Sequence, residues 1–294
     1  MRLDGSFTAL YTPFNDAGSV DLEAYRALCQ RLLDAGVGLV PCGTTGETPA
    51  LSAAEYDGLV RCAVETSGGR RPVIAGTGSN STAATIAQTR HAKELGADVA
   101  LVVVPYYNKP PQASLKAHFE AVADEGGLPV MLYNVPSRTS RNMEVDTILA
   151  LAEHPNIVAV KEASGDIDQI QRICLGAPEN FWVLSGDDAL TLPLIRAGGH
   201  GVVSVAGNVV PSQLDAMVQA ALSGDVSAAD AWQKKLIPLF DILFATTNPI
   251  PVKRAAELLG HGSRHTRMPL LASECTDAMA EQIHAALRAV TSGS

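Results

Sequence analysis

Eight short β-branched runs recur along this chain, with stretches of helical periodicity between them. They read at Phe7–Tyr11, Gly38–Cys42, Pro72–Ala75, Val99–Val104, Pro129–Tyr133, Ile157–Lys161, Trp182–Ser185 and Gly201–Val205. Several are apolar without alternation, as in VALVVV, IVAV and GVVSV. A strand reads that way when both of its faces are buried, as in a parallel sheet covered by helices. Helical patterns fill the gaps at Asp21–Ala35, Ala53–Thr66, Ser81–Leu95, Ser114–Glu125, Glu144–Glu153, Ile167–Leu175 and Ala189–Arg196. Ser52 with Glu55 three residues on makes a capping-box pattern, and Gly36, Gly96 and Gly198 close helices. Each strand-plus-helix unit takes roughly 30 residues. Eight in tandem predict an α/β chain folded as a (β/α)₈ TIM barrel. No GxGxxG follows the first strand to favour an open dinucleotide-binding sheet.

After Gly224 the pattern changes. Asp225–Arg288 reads as helices only, interrupted by the loop TTNPIPVK. The expected division is a catalytic barrel over 1–224 and a C-terminal helical segment over 225–294, within the 294 residues of the chain. No apolar run reaches the roughly 18 residues of a membrane helix. The start, MRLDGSFTALYTPF, lacks a signal-peptide pattern, so a cytoplasmic protein is expected. The net charge of −9 comes from 22 basic and 31 acidic residues, with no Lys/Arg cluster. That argues against nucleic-acid or membrane partners and leaves any anionic substrate to a few local groups. The five cysteines include no CxxC pair, which argues against a disulfide framework or zinc knuckle and reads as buried thiols.

A (β/α)₈ barrel keeps its active site at the C-terminal ends of its strands. Those ends carry Gly43-Thr44-Thr45-Gly46-Glu47, Gly76-Thr77-Gly78-Ser79-Asn80, Pro105-Tyr106-Tyr107-Asn108, Tyr133-Asn134-Val135-Pro136-Ser137-Arg138, Lys161-Glu162 and Ser185-Gly186-Asp187-Asp188. Lys161 is the sharpest feature. It closes the apolar strand IVAVK, and burial of an ammonium is costly, which favours the free amine. A neutral amine in a dry pocket adds to a ketone or aldehyde to give an imine. The alternative is a lysine that snorkels to the rim or pairs with Glu162.

Tyr133 ends the preceding strand and should neighbour Lys161, either as a proton shuttle or as a core tyrosine. Tyr106 and Tyr107 carry the same ambiguity. The GTTGE turn offers N–H groups and two hydroxyls suited to a carboxylate, though a Gly-rich turn alone is often a tight connection. Arg138 can clamp a carboxylate or stand as a solvated loop residue. Asp187-Asp188 reads as a cap for the following helix rather than a metal site. His261 and His265 lack an HExxH pattern and do not suggest zinc.

GTTGE at 43–47, PYYN at 105–108, YNVPSRT at 133–139, VKEASGD at 160–166, LSGDD at 184–188, GGHGVVSV at 198–205 and NPIPVK at 248–253 together resemble the dihydrodipicolinate synthase family. That family lies within the superfamily of N-acetylneuraminate lyase and other pyruvate-dependent class I aldolases. The resemblance implies a Schiff base between Lys161 and pyruvate, with Tyr133, Thr44 and Tyr107 as a proton relay. Tyr107 would be lent to a neighbouring subunit. Thr45 would hold the pyruvate carboxylate, Arg138 the carboxylate of L-aspartate 4-semialdehyde, and the backbones of Gly186 and Val203 would line the pocket. The resemblance further implies a homotetramer built as a dimer of dimers, with no metal or organic cofactor. Lysine-inhibited bacterial members resemble this chain at Asn80 and Tyr106, but carry a glutamate at the position of Ala84 and often histidines at those of Ala53 and Tyr56. Weak feedback inhibition is therefore expected. Competing readings are a sugar-acid lyase on the same scaffold, a catalytically silent 2-oxo-acid sensor and a metal-dependent aldolase.

Overall fold

The computed structural model describes residues 1–292. Eight strands form one parallel sheet: β1 Gly5–Ala9, β2 Gly38–Val40, β3 Ile74–Gly76, β4 Val99–Val103, β5 Val130–Asn134, β6 Ile157–Glu162, β7 Trp182–Ser185 and β8 Gly201–Ser204. Their order is β2-β1-β8-β7-β6-β5-β4-β3, and a bridge between Leu39 and Val73 closes the ring. The barrel stands as the sequence predicts, with strand ends shifted by one or two residues.

Period two sorts the side chains into two cores. Phe7, Ala9, Val40, Ile74, Leu101, Met131, Tyr133, Ala159, Leu184 and Val203 point into the barrel and pack as one cluster. Their strand neighbours, such as Leu39, Ala75, Val102, Leu132, Val160, Val183 and Val202, face the helices and join the larger core. Both faces are dry, which is why the strands show no polar alternation.

The helices between strands also follow the sequence, and a further one at Pro211–Leu222 follows β8. Beyond it lie helices Val226–Leu243, Ile250–Leu258 and Asp277–Thr291. One expectation needs correction. TTNPIPVK is not a loop throughout, because Ile250–Lys253 form the first turn of a helix in which Pro251 stands near the N-terminus. Proline is tolerated there, since early helical N–H groups have no intrahelical acceptor. No helix among the described residues is long and apolar enough to cross a membrane.

The capping box at the start of helix Ala53–Ser67 is present: Glu55 accepts from the Ser52 N–H at 2.9 Å. The same carboxylate takes a hydrogen bond from Arg267 at 2.8 Å, which moves its pKa down from 4.5 to about 2. The folded chain therefore releases this proton more readily than the unfolded one. The resulting stability is present above about 4.5 and is lost as pH falls towards 2. Glu55→Gln is expected to lower the melting temperature at neutral pH, with the gap to the parent narrowing below that upper value. A pH-independent gap would exclude the ion pair as its cause.

Candidate active site

At the C-terminal ends of the strands lies a cavity of about 410 Å³, walled by Thr44, Thr45, Tyr133, Arg138, Lys161 and Gly186 among others. Strand geometry brings them together. Tyr133 and Lys161 are register partners on β5 and β6, and both fall on the inward-facing set of positions. Lys161 is 5% exposed, and its Nζ lies 4.3 Å from the centre of the Tyr133 ring. Glu162 bonds to Asn134 and Ser164 instead, so the amine has no carboxylate partner among the described residues. Both bland readings of Lys161 fail on this geometry, since the side chain neither reaches the rim nor forms an ion pair.

Gly186 keeps the stem of that lysine in place. A Cβ on Gly186 would sit 3.0 Å from Lys161 Cε and 2.8 Å from the Ala163 Cβ. Only glycine leaves the passage open. On the opposite wall, the GTTGE segment forms a tight turn, Thr44–Gly46, closed by the Gly46 and Glu47 N–H groups on the carbonyls of Gly43 and Thr44. The Thr45 hydroxyl accepts from Asn248 Nδ2 at 2.9 Å, which leaves its own proton available to an anion in the cavity.

Arg138 sits on a four-residue helix, Pro136–Thr139, and borders both this cavity and a neighbouring one of about 380 Å³. Its guanidinium forms no ion pair among the described residues. The second cavity shares Thr44, Tyr133 and Arg138 with the first and adds Tyr106. Tyr107 lines neither cavity; it is 89% exposed and held at φ +73°. Among the described residues, every non-glycine residue with positive φ lies in a loop at this end of the barrel: Cys42, Glu47, Tyr107, Lys109 and Ser140. Backbone strain of that kind persists where surrounding contacts over-determine it, and it concentrates at functional sites.

The Val203 side chain is fully buried in the barrel interior, and Val205, two residues on, joins the cavity wall at the end of β8. One placement differs from the sequence reading. Asp188 does not cap the helix that follows it. It accepts from the Ser204 hydroxyl and from the Val205 and Ala206 N–H groups, and so clamps the turn after β8. Burial raises its pKa against those bonds. Asn80 contributes a backbone carbonyl to Asn108 and does not reach the cavity.

Sequence reasoning missed one wall altogether. Phe244, Thr246, Thr247 and Asn248, from the connection between the last barrel-side helices, border the cavity. The signal was present in the polar run TTN between two helical patterns, but nothing local says that it folds back over a strand end.

The dihydrodipicolinate synthetase family profile matches residues 2–290. The chain belongs to that family. A 4-hydroxy-tetrahydrodipicolinate synthase from Moorella thermoacetica is 50% identical to it over 282 residues, covering 96% of each chain. The crystal structure of dihydrodipicolinate synthase from Aquifex aeolicus superposes with a TM-score of 0.93 at 45% identity, over 97% of both chains. The chloride-inhibited dihydrodipicolinate synthase from Acinetobacter baumannii, complexed with pyruvate, gives 0.95 at 37% identity, over 98% of this chain and 99% of that one. Dihydrodipicolinate synthases are lyases of the class I aldolase superfamily and serve lysine biosynthesis through diaminopimelate.

Proposed function

We propose that this chain condenses pyruvate with L-aspartate 4-semialdehyde through a Schiff base on Lys161, releasing 4-hydroxy-tetrahydrodipicolinate. The observation that carries the reading is a buried lysine amine without an ion-pair partner, beside a tyrosine, in a cavity with an uncommitted arginine. The amine adds to the pyruvate ketone and water leaves. The protonated imine draws electrons from the adjacent methyl group, a proton departs, and the enamine carbon attacks the aldehyde. The substrate's own amino group then displaces the lysine nitrogen and closes the ring. Tyr133 and Thr44 move protons, Thr45 holds the pyruvate carboxylate, and Arg138 the carboxylate of the semialdehyde. Gly186 and Val203 support the wall. The sequence of proton transfers needs positioned donors, which the phenol and hydroxyls supply.

Trapping with pyruvate and borohydride, followed by peptide mapping, tests this reading. A mass increase on Lys161 together with turnover of the semialdehyde supports it. Trapping without turnover would leave the sensor reading, and no trapping would end both.

Arg138→Ala is expected to raise the semialdehyde KM by roughly 10²-fold, the scale of a lost charge-assisted pair, while pyruvate trapping stays near its parent value. The reverse pattern would reassign Arg138.

Tyr107 completes the relay from a neighbouring subunit. Its 89% exposure and strained backbone suit a side chain whose contacts lie outside its own chain, and the cavity of about 380 Å³ beside Thr44 has room for a phenol. The assembly is a homotetramer arranged as a dimer of dimers, and the protein acts in the cytoplasm. Residues 1–224 form the catalytic barrel, and the C-terminal segment from residue 225, helical over much of its described part, finishes the cavity wall; the last two residues of the expected span 225–294 lie outside the described residues.

Lysine should inhibit weakly. Asn80 and Tyr106 are the remaining candidates for such a site, yet neither borders the cavity of about 330 Å³ that contains Ala53, Tyr56 and Ala84. The carboxylate there, Asp57, is already bonded to His91 at 2.6 Å. An incoming ammonium meets a methyl group at Ala84. Steady-state rates in millimolar lysine are expected to stay close to those without it, and near-complete inhibition would refute this.

A further inference from the structure

Glu162 follows the candidate nucleophile on β6 and faces the other way. It is fully buried, and it is the register partner of Asn134 on β5. Its carboxylate accepts from Asn134 Nδ2 at 3.1 and 3.2 Å, from the Ser164 N–H at 2.7 Å and from Gln169 Nε2 at 3.4 Å, and the Ser164 side chain adds a further donor. Burial pushes the Glu162 carboxyl up in pKa against the pull of these donors. In each of these bonds the Glu162 oxygens accept, and so they dictate which end of the Asn134 amide faces them. With the NH₂ group turned to Glu162, Asn134 Oδ1 is left to accept the Met143 N–H at 2.9 Å. That bond closes a loop whose ends are nine residues apart. Arg138 lies within it. Asn142 reinforces the clasp by accepting from Asn134 Nδ2 at 2.8 Å and donating to Gln169 Oε1 at 2.8 Å.

We infer that Glu162 is a positioning residue for Arg138: by fixing the Asn134 amide it clasps the 134–143 loop and sets the guanidinium at the height of the Lys161 amine. The backbone adds to the same frame, because the Glu162 carbonyl accepts the Gly186 N–H at 2.7 Å and the Asn134 carbonyl the Ala163 N–H at 2.9 Å. One residue, through its side chain and its carbonyl, thus joins the lysine strand, the arginine loop and the glycine that clears the lysine stem. This inference rests on the assignment of Arg138 to the second substrate's carboxylate.

The test is a split between two substrates. Glu162→Gln keeps shape and volume but offers an NH₂ to a site built of donors, so the Asn134 amide turns over and the Met143 N–H loses its acceptor. The semialdehyde KM is expected to rise about tenfold, while the pyruvate concentration that half-saturates borohydride trapping stays within about twofold. Adding Asn134→Asp to Glu162→Gln restores an acceptor facing a donor at this contact and a carboxylate oxygen for Met143. Recovery of most of the lost semialdehyde affinity in the double variant is the signature that general destabilisation would not give. If Glu162→Gln does not fold, Asn142→Ala cuts the clasp nearer the surface and is expected to show the same split at about threefold. An equal rise for both substrates, or no change for either, overturns the inference. Failure of the parent protein to trap pyruvate would instead overturn the Schiff-base reading, so the two outcomes are distinguishable.

Discussion

Lys161→Ala is expected to abolish borohydride trapping of pyruvate and to lower turnover by at least about 10³-fold, equivalent to about 4 kcal/mol of barrier. The size of the effect follows from the role proposed for the amine. Without it, pyruvate has no electron sink, and loss of its methyl proton reverts to the chemistry of a free ketone. Among the described residues no other lysine borders the cavity, so no second amine of this chain is placed to take over. The substitution should leave folding intact, because Lys161 forms no ion pair and its removal strands no buried charge. The melting temperature and the cavity's affinity for a non-reacting carboxylate are the controls. Retained trapping in the variant, mapped to any other residue, would move the nucleophile elsewhere.

The proposed nucleophile was legible as a buried, inward lysine because strand periodicity and burial act locally. IVAVK ends in a lysine on an inward position, and the register with VMLYN places Tyr133 beside it. The turn after β8 was not legible. Val203 and Val205 share a face, and only the length of β8, which ends at Ser204, decides which of them meets the cavity. Asp188 misled for a related reason. An aspartate before a helix suits a cap, but the end of the neighbouring strand and the turn after it offered three donors, and neighbours across a sheet leave no mark on a single sequence. The wall made by Phe244–Asn248 is the most distant case. Asn248 meets Thr45 across 203 positions of chain, and the pairing depends on how the C-terminal helices pack on the barrel.

That packing is fixed by a buried ion pair whose removal should have the largest effect on stability. Lys253 Nζ lies 2.6 Å from Glu47 Oε1, with both side chains almost wholly out of solvent. Burial pushes the Lys253 ammonium down to about 8 against the pull of Glu47. Phe14 supports it, with the Lys253 nitrogen 4.1 Å and the Arg267 guanidinium 4.3 Å from the ring centre. Glu47 also accepts the Arg267 N–H at 2.9 Å and holds φ +54° in the segment that carries Thr44 and Thr45. Lys253→Met leaves a buried carboxylate with one backbone donor and should cost about 3–5 kcal/mol. At about 2–4 °C per kcal/mol, the melting temperature should fall on the order of 10 °C. Glu47→Gln together with Lys253→Met removes the stranded charge as well, and should melt higher than Lys253→Met alone. That ordering separates an uncompensated charge from a simple loss of contacts. In the surviving folded fraction of Lys253→Met, pyruvate affinity should weaken, because the turn bearing Thr45 has lost its anchor. A single variant that melts within about 2 °C of the parent, below 1 kcal/mol on the same scale, would show that the C-terminal helices hold the GTTGE turn by other means.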